Sequence, residues 1–462
     1  MSPPGRVPGG TVPAGAGWDP AERGAAAPDR TNLIRVIPAK GVVRTAMSES
    51  SPEAPEAPDT PEAVGTFDAV IAGGGLIGLA TAWRAARRGL RTAVVAPAAD
   101  PAAASGVAAG MLTPATEAVF GEEALMRLGA ASRDRYPSFI AEVEADAGTA
   151  AGYSPRGTLQ IAFDTDDLAR LTELGELQSR LGLKAERITS RECRRLEPML
   201  APHVRGGVHA PDDHSVDPRR LTAALRRAAS ARGTVLVADR AAEVVCAGGA
   251  VHGLRTASGR VIEAGRVVLA AGAWTPDIGG LPEGLLPPLR PVKGQLLRLR
   301  TPAGQEPVVS RTVRGLVKGA PVYLVPRPDG EVVLGATQEE MGRDTRLTAG
   351  GVYGLLRDAH ELVPGVSELE IAEACVGLRP GSPDNGPLLG PLGAGAPEGL
   401  HLATGHHRHG VLLTPATADA MAAALLGEDL PAEARPFAAA RFGPGEGPRT
   451  PGTNTRDERE EP

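Results

Sequence analysis

Phe67-Asp-Ala-Val-Ile-Ala-Gly-Gly-Gly-Leu-Ile-Gly78 decides the fold. Phe67 to Ala72 reads as a buried strand, and it runs directly into a G-x-G-x-x-G turn. Ala80-Thr-Ala-Trp-Arg-Ala-Ala-Arg-Arg88 then continues at helical period, stops at Gly89, and is followed by a second apolar strand, Arg91-Thr-Ala-Val-Val95. The three glycines of the pattern play different parts. Gly73 permits the tight turn, Gly75 lets backbone approach a pyrophosphate, and Gly78 lets the helix lie against the strand. Leu76 and Ile77 between them open the helix, whose first N–H groups point at the phosphates. A bare G-x-G-x-x-G means little in a chain with 59 Gly; the strand before it, and the helix and strand after it, make this one a dinucleotide site. One part is missing. The acidic residue that normally ends the second strand and bonds the ribose is replaced by Ala96, followed by Pro97, with Asp100 as the nearest substitute.

The rest of the composition bounds the answer. Residues 1–65 are rich in Pro, Ala, Gly, Glu and Ser and cannot bury enough apolar area to offset their ordering entropy, so a disordered extension is expected, as is a disordered tail at 441–462. No apolar run follows a basic start, and none reaches 18 residues, so neither a secretory signal nor a membrane span is expected. A net charge of -6 and only 3% aromatic residues argue against nucleic-acid binding. Three cysteines make neither a disulfide framework nor a four-thiolate metal site, which points to a reducing, cytoplasmic compartment.

Downstream of the turn, Ala103-Ala-Ser-Gly-Val-Ala-Ala-Gly-Met-Leu-Thr113 carries almost no side-chain bulk before Met111. Small residues over that length let backbone lie against a large flat ligand, with Ser105 supplying a hydroxyl. A small-residue packing face is the alternative reading. Arg266-Val-Val-Leu-Ala-Ala-Gly-Ala-Trp274 is a further buried strand ending in a turn at Ala271 and Gly272. A helical stretch at 121–146 and a mixed segment at 157–211 stand between the two, whereas a nicotinamide dehydrogenase would continue its β-α repeats directly. The interruption fits an α/β flavoprotein: a Rossmann-like FAD-binding domain with an interleaved α+β substrate domain on a mixed or antiparallel sheet. The expected division gives the FAD-binding part 66–150, 211–289 and 376–440, and the substrate part 151–210 and 290–375.

Near the C-terminus, Pro321-Val-Tyr-Leu-Val-Pro-Arg327 and Glu331-Val-Val-Leu-Gly-Ala-Thr337 read as a hairpin turning through Arg327-Pro-Asp-Gly330. Gly377-Leu-Arg-Pro380 sets an arginine at a strand end, and His406-His-Arg-His-Gly410 is a loop before a closing helix from Val411.

In this order, together with Pro291-Val-Lys-Gly294, these stretches resemble the D-amino-acid oxidase superfamily, and within it the glycine oxidases of thiamine biosynthesis, over about residues 67–430. The resemblance implies FAD as cofactor. It places the substrate carboxylate on Arg379, a second donor on Tyr323, and closure of the substrate side on Arg408, with Ala108, Ala109, Gly110 and Met111 against the reactive part of the flavin. Further cofactor contacts are expected from Val244, Ala271, Gly272, His407, His409, Gly410, Val411 and Leu412. The physics agrees for the clamp: a guanidinium fork suits a carboxylate, and a phenol adds a donor with few rotatable bonds. Gln338 departs from the family, whose members can carry Met there, lining the pocket. His406, His407 and His409 lack a further fixed ligand, so no metal is expected. Cys375 raises covalent flavin attachment as in sarcosine oxidases, although its surroundings have the glycine-oxidase form.

The implied reaction is glycine oxidation by hydride transfer from Cα to flavin N5, giving an imine, then glyoxylate and ammonia, with oxygen reduced to hydrogen peroxide. Hand-over of the imine to a thiazole synthase and a homo-oligomeric state are also implied. Oxidation of sarcosine or a D-amino acid, or an amine dehydrogenase with another electron acceptor, remain open at this point.

Overall fold

A computed structural model describes residues 65–98 and 100–442. The expectations for 1–64 and 443–462 lie outside the described residues. The described chain ends in a 3₁₀ turn, Ala439–Phe442, where Arg441 Nε donates to Asp384 Oδ2 at 2.9 Å, so order extends past the tail boundary expected at 441.

A six-stranded sheet runs in the order Val235–Ala238, Thr92–Ala96, Ala69–Ala72, Val267–Leu269, Leu400–Thr404, Leu388–Pro391. All neighbours are parallel except the last pair. Ala69–Ala72, Thr92–Ala96, Val267–Leu269 and Leu400–Thr404 are buried at every position, which is why they read as continuous apolar runs rather than alternating ones. Helices Leu76–Arg87, Glu123–Ala147, Pro218–Ala231 and Thr414–Leu425 pack with one face of the sheet. Trp83 anchors them: fully buried, it meets Phe139 edge-on at 5.4 Å, and its Nε1 donates to Asp146 Oδ2 at 2.9 Å. A four-stranded sheet (Thr66–Phe67, Val261–Ala264, Ala250–Thr256, Ala241–Ala247) closes the other face through Val244, Leu254 and Ile262.

An eight-stranded sheet follows the order Glu370–Gly381, Arg290–Arg300, Glu331–Gly335, Ala320–Pro326, Thr312–Val317, Thr158–Ala162, Gly206–Ala210, Glu186–Thr189. Only the pair Thr312–Val317 and Thr158–Ala162 is parallel. The period-2 pleat sorts its residues into two rows. Leu297, Leu334, Leu324, Val313 and Leu159 lie side by side across the strands, in one cluster with Leu355, Ala359 and Leu362 of helix Ala349–Leu362. One residue along, Cys375, Leu296, Gly335, Tyr323 and Arg314 form the row on the opposite face. The two large sheets draw alternately on the chain, which is the interleaved α/β architecture the sequence predicts. One strand, Glu370–Gly381, runs through the boundary expected between 375 and 376, because its pairing with Arg290–Arg300 continues as far as Gly381.

Candidate active site

A cavity of about 500 Å³ lies at the carboxyl ends of the parallel strands and extends to the inner face of the eight-stranded sheet. At its first end, Gly73, Gly75, Leu76 and Ile77 line the wall. Gly73 has φ +127°, and a Cβ on it would stand 2.3 Å from the carbonyl oxygen of Ala270, so only glycine fits this turn. Gly78 is not at the cavity. A Cβ there would meet the Gly73 carbonyl oxygen at 2.0 Å, the close helix–strand approach expected of it. Ser105 Oγ accepts from the Leu76 N–H at 3.0 Å and so sits at the helix N-terminus. Ala271 and Gly272 line the same wall.

At the far end, Ala108, Ala109, Gly110 and Met111 face Tyr323 and Arg379 across the same space. The sheet register explains how the two clamp residues converge. Arg379 lies on the edge strand and reaches inward over Gly294, where a Cβ would stand 2.5 Å from Arg379 Nη1. Tyr323 reaches inward from the other side over Gly335, where a Cβ would stand 2.5 Å from the phenol oxygen. The two inner strands thus carry glycine under the two outer strands' functional groups. Arg379 Nη1 donates to the carbonyls of Thr337 at 3.2 Å and Lys293 at 3.5 Å, and no carboxylate among the described residues pairs with it. Burial raises the Tyr323 pKa, the Arg379 charge opposing, so the phenol remains a donor at neutral pH.

Arg408 lines the cavity, but its Nη2 donates to Glu122 Oε2. Arg408 thus stands at the substrate side where closure was expected of it, with its charge paired to Glu122. Sequence reasoning missed Glu117 and Arg314. Arg314 Nη1 donates to Glu117 Oε1 at 2.7 Å and lies 3.5 Å from Met111 Sδ, in the same cross-strand row as Tyr323. Burial opposes ionisation of Glu117, but Arg314, His409 and Arg408 together outweigh it and bring its pKa to about 2. With Arg314 matched by Glu117 and Arg408 by Glu122, Arg379 is the uncompensated guanidinium at this end of the cavity among the described residues.

The histidine loop is a 3₁₀ turn, His407–His409. Burial holds His406 at a pKa of about 3 and His407 also at about 3, with Arg408 and Arg379 adding to the effect at His407. His406 Nε2 lies 2.9 Å from Thr417 Oγ1. His407 lines the cavity at 5% exposure, with neither ring nitrogen partnered. Gly410 and Val411 also line it. Three expected cofactor residues do not. Val244 packs between the six- and four-stranded sheets, and Arg240 and Ala241 line the cavity from that region instead. His409 turns to Glu117, with Nδ1 3.8 Å from Oε2. Leu412 packs by the long helix, where Ser132 Oγ donates to its carbonyl at 2.7 Å and Tyr136 donates to that of Val411 at 2.5 Å.

Cys375 shares the inner row but lies outside the cavity lining. Its thiol donates to Glu373 Oε1 at 3.0 Å, and burial with that carboxylate raises its pKa to about 11, opposite to what a flavin-attacking thiolate requires. Gln338 is exposed and off the cavity, so the departure there does not alter the pocket wall. Among the described residues no three His, Cys, Asp or Glu side chains come together as a metal site, and no helix is long and apolar enough to cross a membrane.

Three ties join the 102–109 segment to the eight-stranded sheet. Leu378 N–H donates to the Ala102 carbonyl at 3.1 Å. Arg327, 7% exposed, donates to the carbonyls of Ala109 and Val216. Arg219 Nε donates to the Gly106 carbonyl at 2.7 Å, while its Nη1 meets Glu373 Oε2 at 2.8 Å.

The Gly294 contact gives a direct test of the clamp geometry. Gly294→Ala is expected to push the Arg379 guanidinium aside and lower kcat/KM for the amino acid by about 10²-fold, the penalty for a misplacement near 1 Å, without loss of flavin absorbance. Unchanged kcat/KM would mean the guanidinium yields at no cost to substrate positioning.

The residues present fit a flavin dinucleotide: a glycine turn that no Cβ could enter, a side-chain-poor wall, and a buried histidine with both nitrogens unpartnered beside it. Comparison with known proteins agrees. The family model described as "FAD dependent oxidoreductase" matches residues 68–424. The bifunctional protein ThiO/ThiG of Synechocystis is 35% identical over 82% of this chain and 54% of its own length; the chain spans about half the length of such bifunctional relatives. Glycine oxidase of Geobacillus kaustophilus is 32% identical over 76% of this chain and 90% of its own. The crystal structure of glycine oxidase from that organism aligns with a TM-score of 0.74 at 30% identity, covering 81% of this chain and 99% of that one. Turn, wall and likeness agree: the chain belongs to the FAD dependent oxidoreductase family, and FAD is its cofactor.

Proposed function

We propose that this flavoenzyme oxidises glycine to iminoacetate, which water hydrolyses to glyoxylate and ammonia. The observation that carries the reading is Arg379, a guanidinium at the cavity with two backbone acceptors and no carboxylate partner among the described residues, converging with Tyr323 over glycine-floored strands. Its charge calls for one carboxylate, since the neighbouring Arg314 and Arg408 already have theirs. Arg379 holds that carboxylate by its fork, and Tyr323 donates a second hydrogen bond, so that Cα is fixed against the Ala108–Met111 wall. FAD held by the Gly73–Gly78 turn and the Ala108–Met111 wall would supply the hydride acceptor for Cα and a route for the two electrons to oxygen, giving hydrogen peroxide. Glu117, ionised and bound to Arg314, is not placed as a proton acceptor, and a neutral substrate amine needs none to release its α-hydrogen as hydride. The similarity to glycine oxidase supports the substrate, and the bifunctional relatives support delivery of the imine to a thiazole synthase.

Anaerobic mixing with glycine, sarcosine, D-alanine and D-proline, following flavin bleaching, tests this reading when air is then admitted and peroxide and glyoxylate are assayed. Glycine is expected to bleach the flavin at the lowest concentration and to yield both peroxide and glyoxylate. Bleaching by sarcosine or D-proline but not glycine overturns the substrate. Reduced flavin that persists in air overturns the oxidase reading in favour of another electron acceptor.

A further inference from the structure

The acidic residue that grips the adenosine ribose in dinucleotide folds is absent here, and the structure puts a cation beside its place. The second strand ends at Ala96, whose Cβ would lie 2.6 Å from a Cβ built on Gly74, the middle glycine of the phosphate turn. The same built atom would lie 3.5 Å from Arg226 Nη2. Arg226 comes from helix Pro218–Ala231, which buries Leu221, Ala224, Leu225 and Ala228 and leaves this side chain half-buried at the junction of strand end and turn. Arg226 and Arg240 both line the cavity, and neither has an ion-pair partner among the described residues. Asp100 also lines it, but its Oδ1 accepts from the Ala102 N–H at 3.0 Å and caps its own turn.

We propose that Arg226 replaces the missing carboxylate with a different kind of grip: it binds the diphosphate of FAD by charge, and the adenosine ribose is left without a charged partner. A helix N-terminus offers a diphosphate only about half an elementary charge. A guanidinium adds a whole one together with paired donors suited to phosphate oxygens. A carboxylate at Ala96 would instead have held the ribose hydroxyls and repelled the phosphates beside them. The exchange moves recognition from the sugar to the diphosphate and makes affinity more sensitive to ionic strength.

The experiment uses full-length apoprotein and reads binding rather than turnover. FAD is titrated by flavin fluorescence, ADP is used as a flavin-free competitor, and an FAD analogue carrying 2′-deoxyadenosine probes the ribose. Arg226→Ala is expected to weaken both FAD and ADP by roughly 10- to 100-fold, the size of a charge-assisted contact to phosphate. It should also flatten the loss of affinity between low and high salt. Arg226→Lys should recover part of the ADP affinity. The wild-type protein should bind the deoxy analogue within about 3-fold of FAD, because no charge-assisted bond is lost. Equal ADP affinity and equal salt response in wild type and Arg226→Ala would overturn the proposal. So would a tenfold or larger preference of the wild type for FAD over the deoxy analogue, which would return the ribose grip to a carboxylate such as Asp100. The analogue arm needs no variant, so it stands even if a substitution disturbs folding.

Discussion

Arg379→Ala is expected to keep its yellow FAD and lose nearly all turnover on the amino acid. Removing the fork leaves the substrate carboxylate desolvated and unpaired, which costs about 2–5 kcal/mol, or roughly tens to thousands of fold in substrate handling. The neighbouring guanidiniums offer little relief, because Arg314 is held by Glu117 and Arg408 by Glu122. Arg379→Lys should restore only a fraction, since an ammonium on a flexible stem cannot reproduce two parallel donors. Tyr323→Phe should be milder, about 0.5–1.5 kcal/mol for one hydrogen bond. Anaerobic stopped-flow bleaching separates binding from chemistry. Wild-type bleaching rate and wild-type saturation by glycine in Arg379→Ala would move the carboxylate site elsewhere.

Glu117→Ala should damage stability and selectivity together. The Glu117 and Arg314 side chains are 12% and 15% exposed, so deleting one strands the other, at about 3–5 kcal/mol. Replacing both, Glu117→Leu with Arg314→Met, should recover most of that loss, because the stranded charge goes too. The pH dependence has a definite sign. The folded pKa of about 2 lies below the ordinary 4.5, so the carboxylate's contribution is complete above pH 4.5 and is lost as the pH falls from there toward 2. The gap in melting temperature between wild type and Glu117→Ala should therefore narrow over that window. With Arg314 unmatched, a further free cation stands beside Tyr323, and a dicarboxylate such as D-aspartate should improve relative to glycine. Unchanged melting and unchanged selectivity would show that Arg314 finds another partner at no cost.

The local parts of the site were legible because local chemistry dictates them. The turn at Gly73–Gly78 needs residues without side chains, and its flanking strand and helix advertise themselves by period. Tyr323 and Arg379 stand in short stretches of fixed spacing. What stayed hidden depends on distance along the chain. Glu117 meets Arg314 across 197 residues, and nothing near either marks the pair. Arg226 is one of several arginines on an amphipathic helix, and only the packing of that helix selects it for the phosphate turn. Gly294 and Gly335 were visible within their stretches, but their purpose appears only when the register sets them beneath Arg379 and Tyr323. Val244 and Leu412 stand off the cavity lining for one reason: each lies beside the cavity in sequence while its side chain belongs to a neighbouring core.

The three ties between the 102–109 segment and the eight-stranded sheet have a thermodynamic consequence. Leu378 lies next to Arg379 in the chain, so the hydrogen bond from Leu378 to Ala102 joins the substrate clamp to the cofactor wall almost directly. Arg327 repeats the connection from the end of the strand that carries Tyr323. Occupancy at one end is therefore expected to bias order at the other, and reciprocity would require the effect to run equally in both directions. A carboxylate that fills the clamp should slow the departure of FAD, and the affinity for such a carboxylate should be lower in apoprotein by the same factor. Equal factors in the two measurements would make the enzyme a heterotropic system in miniature, with cofactor and substrate as each other's effectors.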